Sequence, residues 1–167
     1  MLLLVLRALV FVVVLPGAVL VYIPNRILAA GSALPSFDLG WFKLAGWVPI
    51  AFGMAVLVWC WVGFVAQGRG TPAPYDPPRQ LVTGQLYRWV RNPMYVALVI
   101  VLLGESVAFQ SLALLVYAGV VWLACHLFVV LYEEPALHRR FGTAYDTYRE
   151  QVPRWLPRLR RSATAEG

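Results

Sequence analysis

The chain has 167 residues, of which 60% are hydrophobic, and its mean hydropathy is +0.69. Soluble domains are about 45–50% apolar, so this composition excludes an ordinary soluble domain and indicates a membrane protein. The net charge of +6 comes from basic residues placed between and after apolar runs, which sets orientation in a membrane; we expect no nucleic acid partner. Cys60 and Cys125 lie inside apolar runs without metal-ligand or disulfide spacing, so we expect no metal site.

Four apolar runs predict an all-α integral membrane fold with four transmembrane helices, in a single domain of residues 1–167. The predicted spans are about 2–23, 43–66, 94–109 and 112–132. The first contains Arg7 and is expected to end at Pro24. Only a few residues separate the third and fourth runs, which predicts a tight helical hairpin with Glu105 exposed to solvent at its tip. The alternative is a buried role for Glu105.

Arginines are concentrated in two segments, a loop rich in Pro and Gly and the C-terminal tail. They are Arg69, Arg79, Arg88 and Arg91 in the loop, and Arg139, Arg140, Arg149, Arg154, Arg158, Arg160 and Arg161 in the tail. The opposite side carries only Arg26 and Lys43. Because positive residues favour the cytoplasmic side, we expect both termini, the Pro-rich loop and any functional site that these segments form to lie in the cytoplasm. The expected location is a bacterial inner membrane.

This orientation predicts that Ser36 and Thr71 lie on opposite sides of the membrane. Single cysteines at these two positions, introduced after Cys60 and Cys125 are replaced by alanine, should label from opposite sides. Labelling of a cysteine at position 36 from the cytoplasm would reverse the orientation and the predicted face of the site.

Two polar segments lie on the predicted cytoplasmic face. In RNPMY, Arg91 offers a planar donor fork suited to a carboxylate or phosphate, and Asn92 offers a donor and an acceptor. Pro93 marks the start of the third membrane helix. Glu133 and Glu134 follow the last apolar run, where carboxylates are costly near lipid and commonly functional. The alternative is that they only mark the water boundary of the helix.

His126 lies seven residues before Glu133, so two helical turns place both on roughly the same face. We predict that His126 lines the pocket; the alternative is a structural hydrogen bond to a neighbouring helix.

The tail shows helical spacing of apolar and aromatic residues. Phe141, Tyr145, Tyr148 and Val152 recur at intervals of four, three and four. This predicts a C-terminal amphipathic helix that ends before Pro153 and either lies on the membrane surface or caps a cavity.

These two segments resemble a known superfamily. RNPMY at 91–95, preceded by LVTGQLYRWV, and EEPALHRRFGTAYDTYREQVPRW at 133–155 are similar to the isoprenylcysteine carboxyl methyltransferases and phospholipid methyltransferases. The resemblance covers about residues 70–157. Members are integral membrane enzymes that use S-adenosylmethionine. Asn92 stands where the best-known members have histidine, so it can keep a hydrogen bond but cannot titrate.

The resemblance implies transfer of a methyl group from S-adenosylmethionine, which leaves S-adenosylhomocysteine, to a lipophilic acceptor within the bilayer. The acceptor would be isoprenylcysteine-carboxylate-like or phospholipid-amine-like. The implied cofactor-binding residues are Tyr87, Arg91, Asn92, Pro93, Tyr95, His126, Glu133, Glu134, Tyr145 and Tyr148, and the implied catalytic residues are Glu133, Glu134 and His126.

Two other functions fit the composition. A small membrane scaffold subunit would use the tail only as a surface helix and would not bind S-adenosylmethionine. A transporter component would more naturally contain internal repeats or paired broken helices, and the sequence contains neither. Oligomeric state is left open by the sequence.

Overall fold

The computed structural model describes residues 14–31, 34–68 and 81–157. Within these residues all regular secondary structure is helical, apart from one isolated bridge between Ser36 and Ser111. The helices are α1 (Val14–Ala29), α2 (Trp47–Gly68), α3 (Pro93–Ala108), α4 (Leu112–Phe128), α5 (Glu134–Phe141) and α6 (Thr143–Gln151). Short 3₁₀ helices, Gly40–Gly46 and Gln85–Arg88, precede α2 and α3. The predicted all-α class is confirmed.

Helix α1 continues through a proline that was expected to end it. A π-helical turn at Ala18–Tyr22 precedes Pro24, and the helix runs on to Ala29. Proline lacks an N–H and crowds the preceding turn, and the wider π turn accommodates it. Pro24 cannot donate to the carbonyl of Val19, and the hydroxyl of Tyr117 from α4 donates to that oxygen at 3.1 Å. The prediction that the first helix ends at Pro24 is therefore wrong; residues 1–13 lie outside the described part.

The second predicted span begins differently from the expected α-helix at 43. Residues Gly40–Gly46 form a 3₁₀ helix, and α2 starts only at Trp47. Pro49 has no N–H for the carbonyl of Ala45, which favours the tighter turn before it. The third span matches its prediction closely, because α3 begins at Pro93 as RNPMY predicted.

Helices α2 and α3 form the most extensive helix pair, and glycines bring their backbones together. A Cβ on Gly104 would lie 2.8 Å from the carbonyl oxygen of Gly46 and 2.9 Å from the backbone nitrogen of Ile50. Small residues permit this close approach in membrane helices. Leu20 of α1 and Ala118 of α4 join α3 in the buried core, so all four apolar helices share one packing centre.

Gly104→Ala should therefore destabilise the protein. The added methyl group meets backbone atoms that cannot move aside, and overpacking of this kind costs about 1–3 kcal/mol. Gly119→Ala is the matched control, because nothing lies within 4 Å of a Cβ at that helical position. We expect a lower melting temperature for Gly104→Ala and an unchanged or higher one for Gly119→Ala. Equal melting temperatures would contradict the close α2–α3 contact.

Two helical stretches of the described residues are long and apolar enough to cross a membrane, Gly40–Gly63 and Leu112–Phe141; α1 and α3 are shorter apolar helices. Their outer surfaces carry large apolar side chains, including Trp41 at 87% and Leu131 at 71% exposure. Continuous apolar surface of this kind fits contact with lipid rather than water. The count of four spans remains a prediction.

Glu105 lies on the inside of the hairpin rather than at its exposed tip. The turn comes later, at Gln110, whose carbonyl accepts from the backbone N–H of Phe37 at 3.2 Å. The side chain of Gln110 also donates to Asp38 at 3.3 Å, so the loop before α2 folds over the hairpin. Glu105 is only 9% exposed, and its expected solvent exposure is wrong.

The tail is not one amphipathic helix. Gly142 has φ of 54°, in the left-handed region that favours glycine, and it separates α5 from α6. Phe141 therefore belongs to α5 and does not continue the stripe of α6, in which Tyr145 is 2% exposed. Two tyrosines of α6 face the protein, where Tyr145 bonds to Arg91 and Tyr148 bonds to Tyr87. Most of the Pro-rich loop, residues 69–80, lies outside the described part.

Candidate functional site

The RNPMY segment is held between α3 and the tail. Asn92 is the N-cap residue of α3, with φ of −126° and ψ of 56°, so its backbone lies outside the helical region that the following proline disfavours, and its side chain makes no capping hydrogen bond. The backbone N–H of Arg91 donates to the carbonyl of Pro153 at 2.9 Å, and Nδ2 of Asn92 donates to the carbonyl of Arg154 at 3.3 Å. Asn92 is 6% exposed. Its side-chain donor thus fastens the tail to this segment.

The glutamate pair sits at a second π-helical turn, Val129–Glu133, which precedes Pro135 as the first π turn precedes its own proline. The helix consequently continues past the predicted span end at 132, into α5. Adjacent residues of a regular helix point about 100° apart, and here the two carboxylates face different partners. The hydroxyl of Tyr95, on α3, donates to Oε2 of Glu133 at 3.2 Å. Glu134 turns instead toward two arginines.

Glu134 is the centre of a buried ion-pair cluster. Its Oε1 lies 3.1 Å from Nη1 of Arg91 and 2.7 Å from Nε of Arg154, while Oε2 accepts from Nη2 of Arg154 at 2.9 Å. Two parallel bonds to one guanidinium are the strong bidentate geometry. The Glu134 hydrogen bond raises the pKa of Arg154 above its usual value. Arg154 was not among the site residues predicted from the sequence.

Two tyrosines of α6 complete the cluster. The hydroxyl of Tyr145 accepts from Nη1 of Arg91 at 3.1 Å, and the hydroxyl of Tyr148 donates to the carbonyl of Tyr87 at 2.6 Å. Burial raises the pKa of both Tyr145 and Tyr148, so both hydroxyls stay protonated at neutral pH. The RNPMY segment, the glutamate pair and the tail are thereby joined in one polar site at the ends of the apolar helices.

Arg91 retains an unused donor in this site. Its side chain is 9% exposed, and its Nε is enclosed by the protein and has no hydrogen-bond partner in the described part of the chain. An unsatisfied buried donor costs about 1–3 kcal/mol, so an acceptor atom brought by a ligand would be favourable here. A carboxylate or another anionic group matches the geometry of the guanidinium.

His126 has other neighbours. Nε1 of Trp155 donates to Nδ1 of His126 at 3.2 Å, and the imidazole stacks on Trp122 with ring centroids 5.5 Å apart. The second π turn lies between His126 and Glu133, so their seven-residue spacing no longer equals two regular turns. Among the described residues, no hydrogen bond or ion pair joins His126 to either glutamate. Its catalytic and cofactor-binding roles stay predictions.

A family model described as phospholipid methyltransferase matches residues 42–144, more than half of the 167-residue chain. The chain belongs to the phospholipid methyltransferase family. The recognised resemblance to this superfamily is thereby confirmed. Comparison with curated proteins and with solved structures gives no match. Membership and the two long apolar helices together support a membrane methyltransferase.

The region matched to the phospholipid methyltransferase family contains RNPMY and both glutamates but ends before Tyr145. Tyr145, Tyr148 and Arg154 lie outside the matched region, and the structure shows that they contact residues within it. Helical spacing pointed to the two tyrosines, whereas nothing in the local pattern singled out Arg154. No cluster of three or more potential metal ligands occurs within residues 14–31, 34–68 and 81–157.

Proposed function

We propose that this membrane methyltransferase transfers a methyl group from S-adenosylmethionine to a phospholipid amine. The observation that carries the proposal is the buried polar site in which Arg91 keeps an unpaired Nε beside Glu134 and Tyr145. The cofactor is a zwitterionic amino acid joined to a sulfonium, so it offers an anionic carboxylate and cationic groups to this set of donors and acceptors.

Arg91 would hold the cofactor through its guanidinium, whose Nε is unpaired, and the carboxylates would offset positive charge. When bound, S-adenosylmethionine would supply an electrophilic methyl group, with the neutral thioether S-adenosylhomocysteine as the leaving group. Arg91 would bind the amino-acid part of the cofactor, which is remote from the methyl group. The methyl group is then held in place without contacts that stabilise the sulfonium more than the transition state. Alignment of this kind can supply much of the rate of a two-substrate reaction.

Glu133 is the proposed general base. A phospholipid amine is an ammonium at neutral pH and must lose a proton before its nitrogen can attack carbon. Tyr95 orients Glu133 by donating to Oε2 at 3.2 Å, and a carboxylate has acceptor capacity beyond that single bond. A carboxylate acceptor, such as that of an isoprenylcysteine, would need no base. The Tyr95–Glu133 pair therefore favours the amine.

Calorimetry with S-adenosylhomocysteine on the protein in nanodiscs tests the proposed cofactor. The proposal expects saturable binding with a stoichiometry of one per chain. A membrane scaffold or a transporter component would show none, so the absence of binding to folded protein would overturn the proposed function.

A further inference from the structure

The tail segment Val152–Trp155 is fastened to the site at three points. Its Pro153 carbonyl accepts from the backbone of Arg91, its Arg154 carbonyl accepts from Asn92, and its Trp155 indole donates to His126. Pro153 keeps the segment from continuing α6, which ends at Gln151. The backbone is extended at Val152, and the segment after it places the Arg154 side chain on Glu134, twenty residues earlier.

Arg154 makes more and shorter hydrogen bonds to Glu134 than Arg91 does. It bonds both carboxylate oxygens, at 2.7 and 2.9 Å, whereas Arg91 shares only Oε1, at 3.1 Å. Glu133 contributes no ion pair to either arginine in the described residues, because it faces Tyr95. One carboxylate therefore serves two guanidinium groups, and the positive charge of Arg91 is only partly compensated.

We propose that Arg154 is a positioning residue that occupies Glu134 so that Arg91 stays available to bind the carboxylate of the cofactor's amino-acid part. This inference rests on the proposed function. Without Arg154, both oxygens of Glu134 would be open to Arg91, whose fork would turn to bond them in bidentate fashion. This rotation of the Arg91 side chain would use its unpaired Nε donor in a bond to Glu134. It would also neutralise the positive charge of Arg91 that attracts an anion.

The test compares two ligands on two proteins. S-adenosylhomocysteine carries the carboxylate, and its decarboxylated analogue differs only by lacking that group. Wild-type protein should prefer S-adenosylhomocysteine by roughly tenfold or more, as expected for a charge-assisted hydrogen bond. Arg154→Met should lose most of that preference while binding the analogue within about twofold of wild type. Arg154→Lys, which keeps the charge but not the planar fork, should restore part of the preference.

Two controls separate positioning from simple docking of the tail. Arg149→Met removes an equal charge from the exposed face of α6 and should change neither affinity. Trp155→Phe breaks the bond to His126 in the same segment without changing charge, and it should keep the preference for the carboxylate. Melting temperatures measured on the same preparations show which variants are folded.

The outcomes distinguish this inference from the proposed function. If folded wild-type protein binds neither ligand, the proposed function fails. If wild-type protein binds S-adenosylhomocysteine but Arg154→Met keeps its preference, or loses affinity equally for both ligands, only the role of Arg154 is overturned. Loss of the preference in Trp155→Phe would also overturn it, because the placement of the tail rather than the guanidinium would then set selectivity.

Discussion

Glu134→Ala should lower the free energy of unfolding by about 3–5 kcal/mol, the usual cost of removing one partner from a buried ion pair. Glu134 is 9% exposed and joins Arg91 to Arg154, so its loss leaves two guanidinium groups facing each other without a counter-charge. For a chain of this size that cost corresponds to a fall in melting temperature on the order of 10 °C. Thermal unfolding in a mild detergent measures the change.

Glu150→Ala is the matched control for that substitution. Glu150 lies exposed near the end of α6, where most substitutions change stability by less than about 0.5 kcal/mol. Glu134→Gln should fall between the two, because the amide keeps one acceptor oxygen but loses the charge. Equal melting temperatures for Glu134→Ala and Glu150→Ala would mean that the ion-pair cluster does not form.

Arg91→Ala should weaken the binding of S-adenosylhomocysteine roughly ten- to a hundred-fold. The substitution removes the unpaired Nε and the donor shared by Glu134 and Tyr145, and a lost charge-assisted hydrogen bond costs about 1.5–3 kcal/mol. Arg91→Lys should recover only part of the affinity, because an ammonium cannot reproduce a planar fork. Calorimetry in nanodiscs measures all three proteins under the same conditions.

Arg88→Ala controls for general effects of removing an arginine from this loop. Arg88 is exposed and lies over the ring of Trp89, away from the ion-pair cluster. It should bind S-adenosylhomocysteine like the wild type. If Arg91→Ala and Arg88→Ala bind equally well, the buried donor does not contact the cofactor.

Glu133→Gln is expected to weaken the binding of S-adenosylhomocysteine as well, through loss of its negative charge.

The meeting of RNPMY with the glutamate pair could be predicted from the sequence. Both segments adjoin apolar runs on the side richer in arginine, and Pro93 fixes where α3 begins. Because α3 and α4 form a hairpin, the start of α3 and the end of α4 lie at the same end of the pair. The two segments do lie together, because Arg91 contacts Glu134 and Tyr95 contacts Glu133.

The π turns could not be predicted from regular helical spacing. A rule of about 3.6 residues per turn assumes an unbroken α-helix, and it aligned His126 with Glu133. The wider turn at Val129–Glu133 changes that alignment, and the only local signal for it is Pro135. The same reason explains why α1 continues past Pro24.

Arg154 was missed because its contact depends on the path of the backbone after α6. The sequence marks the end of that helix with Pro153 but does not state the direction taken afterwards. Carbonyls held by Arg91 and Asn92 set that direction, and these bonds form only between distant segments. Glu105 was misplaced for a related reason, since the turn lies at Gln110, where it is held by Asp38, 72 residues away in the sequence.

Methyl transfer into defined lipids tests the central claim most directly. Protein in nanodiscs that contain phosphatidylethanolamine should move a labelled methyl group from S-adenosylmethionine onto the lipid amine. Nanodiscs of phosphatidylcholine alone, whose nitrogen already carries three methyl groups, should gain no label. The account predicts label in the first and none in the second, with Arg91→Ala strongly reduced. Cofactor binding without transfer to phosphatidylethanolamine would contradict the phospholipid amine as acceptor.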